Sequence, residues 1–331
     1  MRLARLSVAT FVAASLVLGG CGGEQDADAP ESPDTAAGSN VPGTWPLTGL
    51  PVADGEDSAQ RHPVMVAKID NLGKEPQAGL GKADLVVEEL VEGGYTRLAA
   101  FFYSELPINA GPMRSMRFSD IGIVQPVNGD IVTSGGAPPT IKRIEGAGLN
   151  FFGEGAEGFS RDDTRAAPYN LMADIQKVAA GIKQDAERPA DYLDWGKADA
   201  TLGGQSATTL SASFSGQHTS EWKYADGHYE LVDGDAPADD SYVPDTVLVL
   251  RVKTSIAPYK DPAGNPVPET HFTGEGDALV FHGGKVLRGT WTKDGLDKTV
   301  SLSTKAGEVK IPAGHVWIEL VPTDGGDVTF N

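Results

Sequence analysis

The sequence predicts an α+β protein in two parts: an N-terminal α/β-type domain followed by a β-rich, mainly antiparallel C-terminal domain. Three observations predict it. Strand-like and helix-like segments alternate up to about residue 182, and nearly every segment beyond residue 206 reads as strand. The 41 Gly and 22 Pro among 331 residues supply many turns, which suits a β-rich fold better than a helical bundle. An apolar fraction of 40% is enough for a packed core.

In chain order, residues 63–70 (PVMVAKID) form a buried-strand run ending at the turn opener Asp70-Asn71. Residues 84–90 and 95–103 are two further strands separated by Glu92-Gly93-Gly94. Ser119 is placed to cap a short helix over 119–124, residues 130–133 read as strand, and Pro139 opens a helix over 139–144. Leu171, Ile175, Val178, Ala179 and Ile182 share one stripe, which predicts a helix within 170–182. The chain is polar and irregular over 183–206, a boundary that divides a domain at 44–185 from one at 205–331. Beyond it, strands are expected from 208 to 330, with Gly283-Gly284 as a two-residue hairpin turn. An antiparallel sheet, sandwich or open barrel would satisfy that pattern.

The N-terminus specifies location. Arg2 and Arg5 precede an apolar run over 6–18 and then Gly19-Gly20-Cys21. A basic segment followed by an apolar stretch of this length is a secretory signal peptide, here residues 1–20. The apolar run 6–18 is shorter than the roughly 20 residues of a membrane span. Leu18-Gly19-Gly20-Cys21 has the form of a bacterial lipobox, whose cysteine thiol receives diacylglycerol before the peptidase cuts ahead of it. Cys21 is the only cysteine, which excludes a disulfide framework and marks the lipidation site. Two or more acyl chains such as palmitate, at about 0.8 kcal/mol per buried CH₂, anchor a protein stably. The following segment to residue 43 carries five acids and no base, and reads as a disordered tether spanning roughly 25 Å.

With Arg2, Arg5 and the tether acids set aside, 25 bases and 41 acids remain, a net charge of −16. Anionic headgroups repel such a body, so the lipid must hold it at the membrane, on the extracytoplasmic side. The same excess excludes a general nucleic-acid binder.

Phosphate-loop, dinucleotide, zinc-protease and nucleophile-elbow motifs are absent, and the six His show no ligand spacing, so no resident metal is expected. One constellation stands out. Of twelve arginines, six fall between 97 and 165, in the phrases VEGGYTR (91–97), GPMRSMR (111–117) and RDDTR (161–165), with Arg143 between the last two. Arg114 and Arg117 are three apart, and Arg161 and Arg165 four apart, so helical backbone would put each pair on one face. Guanidinium forks grip phosphate or carboxylate. Arg97, Arg114, Arg117, Arg161 and Arg165 are therefore candidate anion ligands, and Gly135-Gly136 supplies a loop whose N–H groups could face the same anion. The interleaved acids, Asp70, Glu88, Glu89, Glu92, Asp120, Asp162 and Asp163, admit a second account: a structural ion-pair network with no ligand.

IDN at 69–71, ADLVVEELVEGGYTR at 83–97, GPMRSMR at 111–117, SGG at 134–136 and RDDTRAAPYNL at 161–171 resemble the YerB-like family of bacterial lipoproteins. FHGGKVLRGTW at 281–291 and IPAGHVWIELVP at 311–322 resemble that family's C-terminal domain. This chain has Leu231 where other members usually carry Arg. The resemblance implies two domains of unknown function, a lipid anchor, and a loose association with cell-wall synthesis. The leading reading is an envelope lipoprotein acting as a binding or assembly factor, with cell-wall synthesis proteins or phosphorylated wall precursors as partners and no cofactor. The rival is a metal-dependent enzyme on phosphate- or pyrophosphate-linked wall precursors, with Asp70, Glu89 or Asp120 holding Mg²⁺ or serving as base. The arginine-rich LytR-CpsA-Psr phosphotransferases are analogous to that rival in site character only.

Overall fold

A long mixed sheet organises the chain in the computed structural model, which describes residues 43–52, 62–182, 187–232 and 234–331. The signal segment, Cys21 and almost all of the tether lie outside the described residues. In the N-terminal half, strands β1 (Met65–Asn71), β2 (Leu85–Leu90) and β3 (Thr96–Phe102) are followed by helix α1 (Asp120–Val124), strand β4 (Asp130–Val132), helix α2 (Pro138–Gly146) and strand β5 (Phe151–Phe152). Strands β2 and β3 form a hairpin whose turn places Gly93 at φ 72° and Gly94 at φ 81°, where a side chain would be strained. The order β2-β3-β1-β4-β5 completes this half of the sheet.

The open side of β2 is covered by a strand from near the C-terminus. Val316–Pro322 pairs parallel with β2, and Thr246–Lys260 pairs parallel with Val316–Pro322. Gly274–His282, Lys285–Lys293, Ser301–Thr304 and Gly307–Val309 continue antiparallel to the far edge. Both halves therefore build one 13-stranded sheet. Every residue of Val316–Pro322 is buried, as expected of a strand covered on both faces.

Period-two alternation sends β1, β2 and β3 side chains to two cores. Val66, Val87, Ala99 and Phe101 meet Ile121 of α1 and Ile144 of α2 on one face. Met65, Val86, Leu98 and Phe102 pack on the other, against Leu210 and Trp222 of a four-stranded second sheet. That sheet comprises His228–Leu231, Thr219–Ala225, Thr209–Ser213 and Asp327–Phe330.

The structure differs from the sequence reading in several places. Ser119 precedes α1 but makes no side-chain cap, and its Oγ accepts the Thr270 N–H instead. The stretch 170–182 is not one helix: β7 (Leu171–Ala173) pairs with β6 (Phe159–Arg161), and α3 (Ile175–Ala180) begins only after Asp174, whose carboxylate accepts the Lys177 N–H. The side-chain cap fixes where the helix starts. Neither arginine pair is helical: Arg114 and Arg117 lie in irregular backbone after the cis Gly111-Pro112 bond, and Arg161 ends β6. A further strand, Pro266–His271, pairs with the distal part of Thr246–Lys260 to make a projecting hairpin. Two prolines disguise it, as is usual for strands at a sheet edge.

Candidate functional site

Charge gathers where β1 and β2 end and β3 begins. Glu89, Arg97 and Asp70 stand in one row across β2, β3 and β1, and Lys68 lies two residues earlier on the same face of β1. Glu88, Asn71 and Thr96 fall on the opposite face by the same alternation. One end of an apolar sheet thus turns polar on both sides.

On the first face, Lys68 is fully buried, with its Nζ 2.7 Å from a Glu89 oxygen and 2.7 Å from an Asp120 oxygen. Burial works against the ammonium charge, but Asp120 and Glu89 outweigh it and hold Lys68 above its ordinary pKa. Burial also pushes Glu89 up, because one ammonium cannot fully compensate two carboxylates. Asp70 is tied instead to Arg114, 2.9 Å from its Nε, and burial raises its pKa despite that partner. The three candidate acids are therefore distributed over two cation pairs, with Glu89 and Asp120 brought together by a lysine that the sequence reading passed over.

Outside this buried layer lies a cleft of about 490 Å³ lined by Arg97, Arg114, Arg117, Arg161, Ser115 and Ser134, among others. Arg117 forms a two-pronged ion pair with Glu92, and Arg161 forms one with Glu154 at 2.6 and 2.7 Å. Arg114 also lies against the Tyr169 ring, 4.9 Å from its centroid. Arg97 differs from these three. It is 6% exposed, its Nη1 donates to the Ser115 carbonyl at 2.8 Å, its Nε has no partner, and Glu92 is 4.0 Å away. Burial, then the neighbouring Arg117 charge, brings its pKa down to about 10.

The remaining predicted ligands fall outside this lining. Arg165 turns away to Asp162 and to the Pro76 carbonyl. The Gly135 N–H donates to the Thr133 hydroxyl, and Gly136 packs beside Met116. Arg143 pairs with Glu269 and covers Phe118. Asp261, Pro262 and Asn265 from the projecting hairpin also line the cleft. Nothing in their local sequence signals it.

On the second face, a smaller cleft of about 250 Å³ borders the first, with Leu72 and Tyr95 in both walls. Its floor is polar. Glu88 accepts from Asn71 at 3.0 Å and Ser220 at 3.0 Å, and lies 2.7 Å from His218 Nε2. Burial opposes charge on the His218 ring, but the Glu88 bond outweighs it and raises the pKa. Among the described residues no three His, Cys, Asp or Glu side chains group to hold a metal ion.

A family model described as "Protein of unknown function (DUF3048) N-terminal domain" matches residues 47–188, and its C-terminal domain model matches residues 210–318. The chain belongs to this family. A relative in Bacillus subtilis, named "Putative lipoprotein YerB", is 34% identical over 155 residues. That alignment spans 46% of this chain and 45% of the relative, under half the length of either. The crystal structure of the YerB protein from Bacillus subtilis matches with a TM-score of 0.71 at 21% identity, covering 86% of this chain and 99% of that one. At that identity the likeness concerns the fold. In DUF3048 terms, the N-terminal domain supplies the arginines of the larger cleft, and the C-terminal domain supplies Asp261, Pro262 and Asn265 on its hairpin.

Proposed function

We propose that the protein is an envelope lipoprotein anchored through Cys21, and that its arginine cleft binds a phosphorylated ligand or partner group, making it a binding or assembly factor rather than a metal-dependent enzyme. The observation that carries this reading is Arg97. A buried guanidinium with an unpartnered Nε, flanked by Arg114 and Arg117, is an arrangement that an arriving anion would complete. The binding reading is favoured over the metal-dependent one because Glu89 and Asp120 are held by Lys68, and Asp70 by Arg114, so none of the three candidate acids is open to Mg²⁺. Partners of matching chemistry are phosphate-bearing wall precursors or the proteins that handle them.

The test is a thermal melt of the full-length protein with inorganic pyrophosphate, in the presence and absence of Mg²⁺. Anion binding at the cleft raises the melting temperature, because a ligand that binds only the folded state stabilises it. The rise is expected without Mg²⁺. No shift under either condition refutes the anion site, and a shift only with Mg²⁺ favours the metal-dependent reading.

A further inference from the structure

The two clefts at the polar end of the sheet are adjacent, since Leu72 and Tyr95 line both, and a ligand larger than an anion could reach from one to the other. Strand β1 leaves the sheet at Asp70-Asn71, with Asp70 on the arginine side and Asn71 on the other. Leu72 and Tyr95 then form the ridge that both clefts share. Resting on the anion-binding reading above, we propose that the smaller cleft is a second subsite and that the ligand is a glycosyl phosphate, with its phosphate among the arginines and its sugar beyond the Tyr95 ridge.

The chemistry of the smaller cleft fits a neutral polyol. His218 has its Nε2 occupied by Glu88 and Ser220, so Nδ1 is the ring atom left for a ligand among the described residues. The Glu88 bond favours the protonated ring, in which Nδ1–H is a donor. Asp235 uses Oδ2 to accept the Gly73 N–H at 2.8 Å, which leaves Oδ1 as an acceptor for a hydroxyl. Gln217 offers an amide that both donates and accepts, and Tyr95 provides an aromatic wall. Alternating donors and acceptors beside a ring match the alternating hydroxyls of a sugar. A fully charged partner fits worse, because His218 opposes a cation while Glu221 and Asp235 oppose an anion. The volumes also suit the division: the smaller cleft, at about 250 Å³, lies below the usual 300–1,000 Å³ of a whole drug-sized site, so it suits one portion of a ligand.

Titration calorimetry of the full-length protein tests this with inorganic phosphate, glucose 1-phosphate and N-acetylglucosamine 1-phosphate as probes. At least one sugar phosphate is expected to bind tenfold or more tightly than phosphate. Gln217→Trp, which fills the smaller cleft from an exposed position, and Asp235→Asn, which keeps an acceptor for Gly73 but loses the charged one, are each expected to reduce that gain. Both should leave phosphate affinity unchanged, which also reports that the variants are folded. Sugar phosphates that bind no tighter than phosphate overturn the subsite and leave the anion site standing. A gain that persists in both variants places the sugar elsewhere and overturns it too. If none of the three probes binds, the anion reading fails and the subsite falls with it.

Discussion

Glu88 and Glu319 stand opposite each other in register on paired parallel strands, and neither is exposed to solvent. Two buried carboxylates so placed do not both ionise. His218, Ser220 and Asn71 support charge on Glu88, and its pKa is lowered despite burial. Burial and the Glu88 charge push Glu319 well above the ordinary carboxyl range, and its Oε1 accepts the Trp222 indole N–H at 2.8 Å. The seam between the two halves of the chain therefore favours a proton on Glu319 and charge on Glu88.

That proton makes stability pH-dependent with a definite sign. Glu319 stays protonated in the fold but ionises in the unfolded chain above its ordinary value of 4.5, so its contribution is full below that value and declines as pH rises towards the folded pKa. His218, raised from 6.5, adds a decline of the same sign as pH passes from its unfolded to its folded value. In Glu319→Gln, the amide accepts from Trp222 and donates to Glu88 without titrating. Its urea midpoint should fall less than that of wild type between pH 5 and pH 8. An equal or steeper fall in the variant would show that Glu319 is ionised in the native state.

Lys68→Met leaves Glu89 and Asp120 buried without their common cation. Breaking a buried ion pair in this way costs about 3–5 kcal/mol. Replacing all three polar side chains with apolar ones of similar volume should recover much of that loss. Denaturant titration of the single and triple variants measures both effects, and a single variant within 1 kcal/mol of wild type contradicts the assignment.

Lys68 also shows where sequence reading reaches its limit. Most strands were legible, because alternation and turn residues are local: Gly283-Gly284 indeed joins His282 to Lys285 in a two-residue hairpin. The arginine phrases were legible as a cluster, and four of the five predicted guanidiniums line one cleft. Lys68 lies unremarked inside the buried-strand run PVMVAKID, since the role of a buried lysine is recognisable only once its two carboxylates are in place. The pairing of β2 with Val316–Pro322 left no trace either, because parallel partners distant in sequence share no turn. Glu88 and Glu319 therefore could not be related from the sequence. The helix expected over 170–182 failed for a local reason: Leu171 and Ile175 fit one stripe, but Asp174 between them caps the helix instead of continuing it.

The shared sheet bears on proteolysis. Within the polar stretch 183–206, Tyr192 and Leu193 are buried and Trp195–Gly196 and Gln205–Ser206 pair with other strands, so first cleavage is expected in the exposed segment 197–204 between them. Both hydrophobic cores contain residues from each side of that stretch, such as Val87 with Leu248 and Val86 with Val247. A chain nicked there should elute as one species in size-exclusion chromatography and separate only in denaturant. Two folded fragments eluting apart would contradict this.

Attachment is tested by Cys21→Ala. Anionic lipid repels the −16 body as a whole, so the variant should appear in the soluble fraction. Retention on membranes in high salt refutes lipid anchoring as the main attachment.

Arg97 and Arg117 separate ligand binding from structural pairing. Arg117 and Glu92 are both nearly buried, with side chains 8% exposed, so Arg117→Ala strands a carboxylate and costs about 3–5 kcal/mol whether or not a ligand exists. Arg97 holds no carboxylate within hydrogen-bond range, and its charge is opposed by Arg117 and Arg114. The Ser115 carbonyl that it bonds keeps a second donor, Arg117 Nη1 at 3.2 Å. Arg97→Met should therefore leave the melting temperature unchanged or raised, while pyrophosphate affinity falls by an amount on the order of 1.5–3 kcal/mol, the strength of a hydrogen bond to a charged group. Melts with and without pyrophosphate read both quantities. A strongly destabilised Arg97→Met, with no pyrophosphate effect on wild type, would return the cluster to a purely structural network.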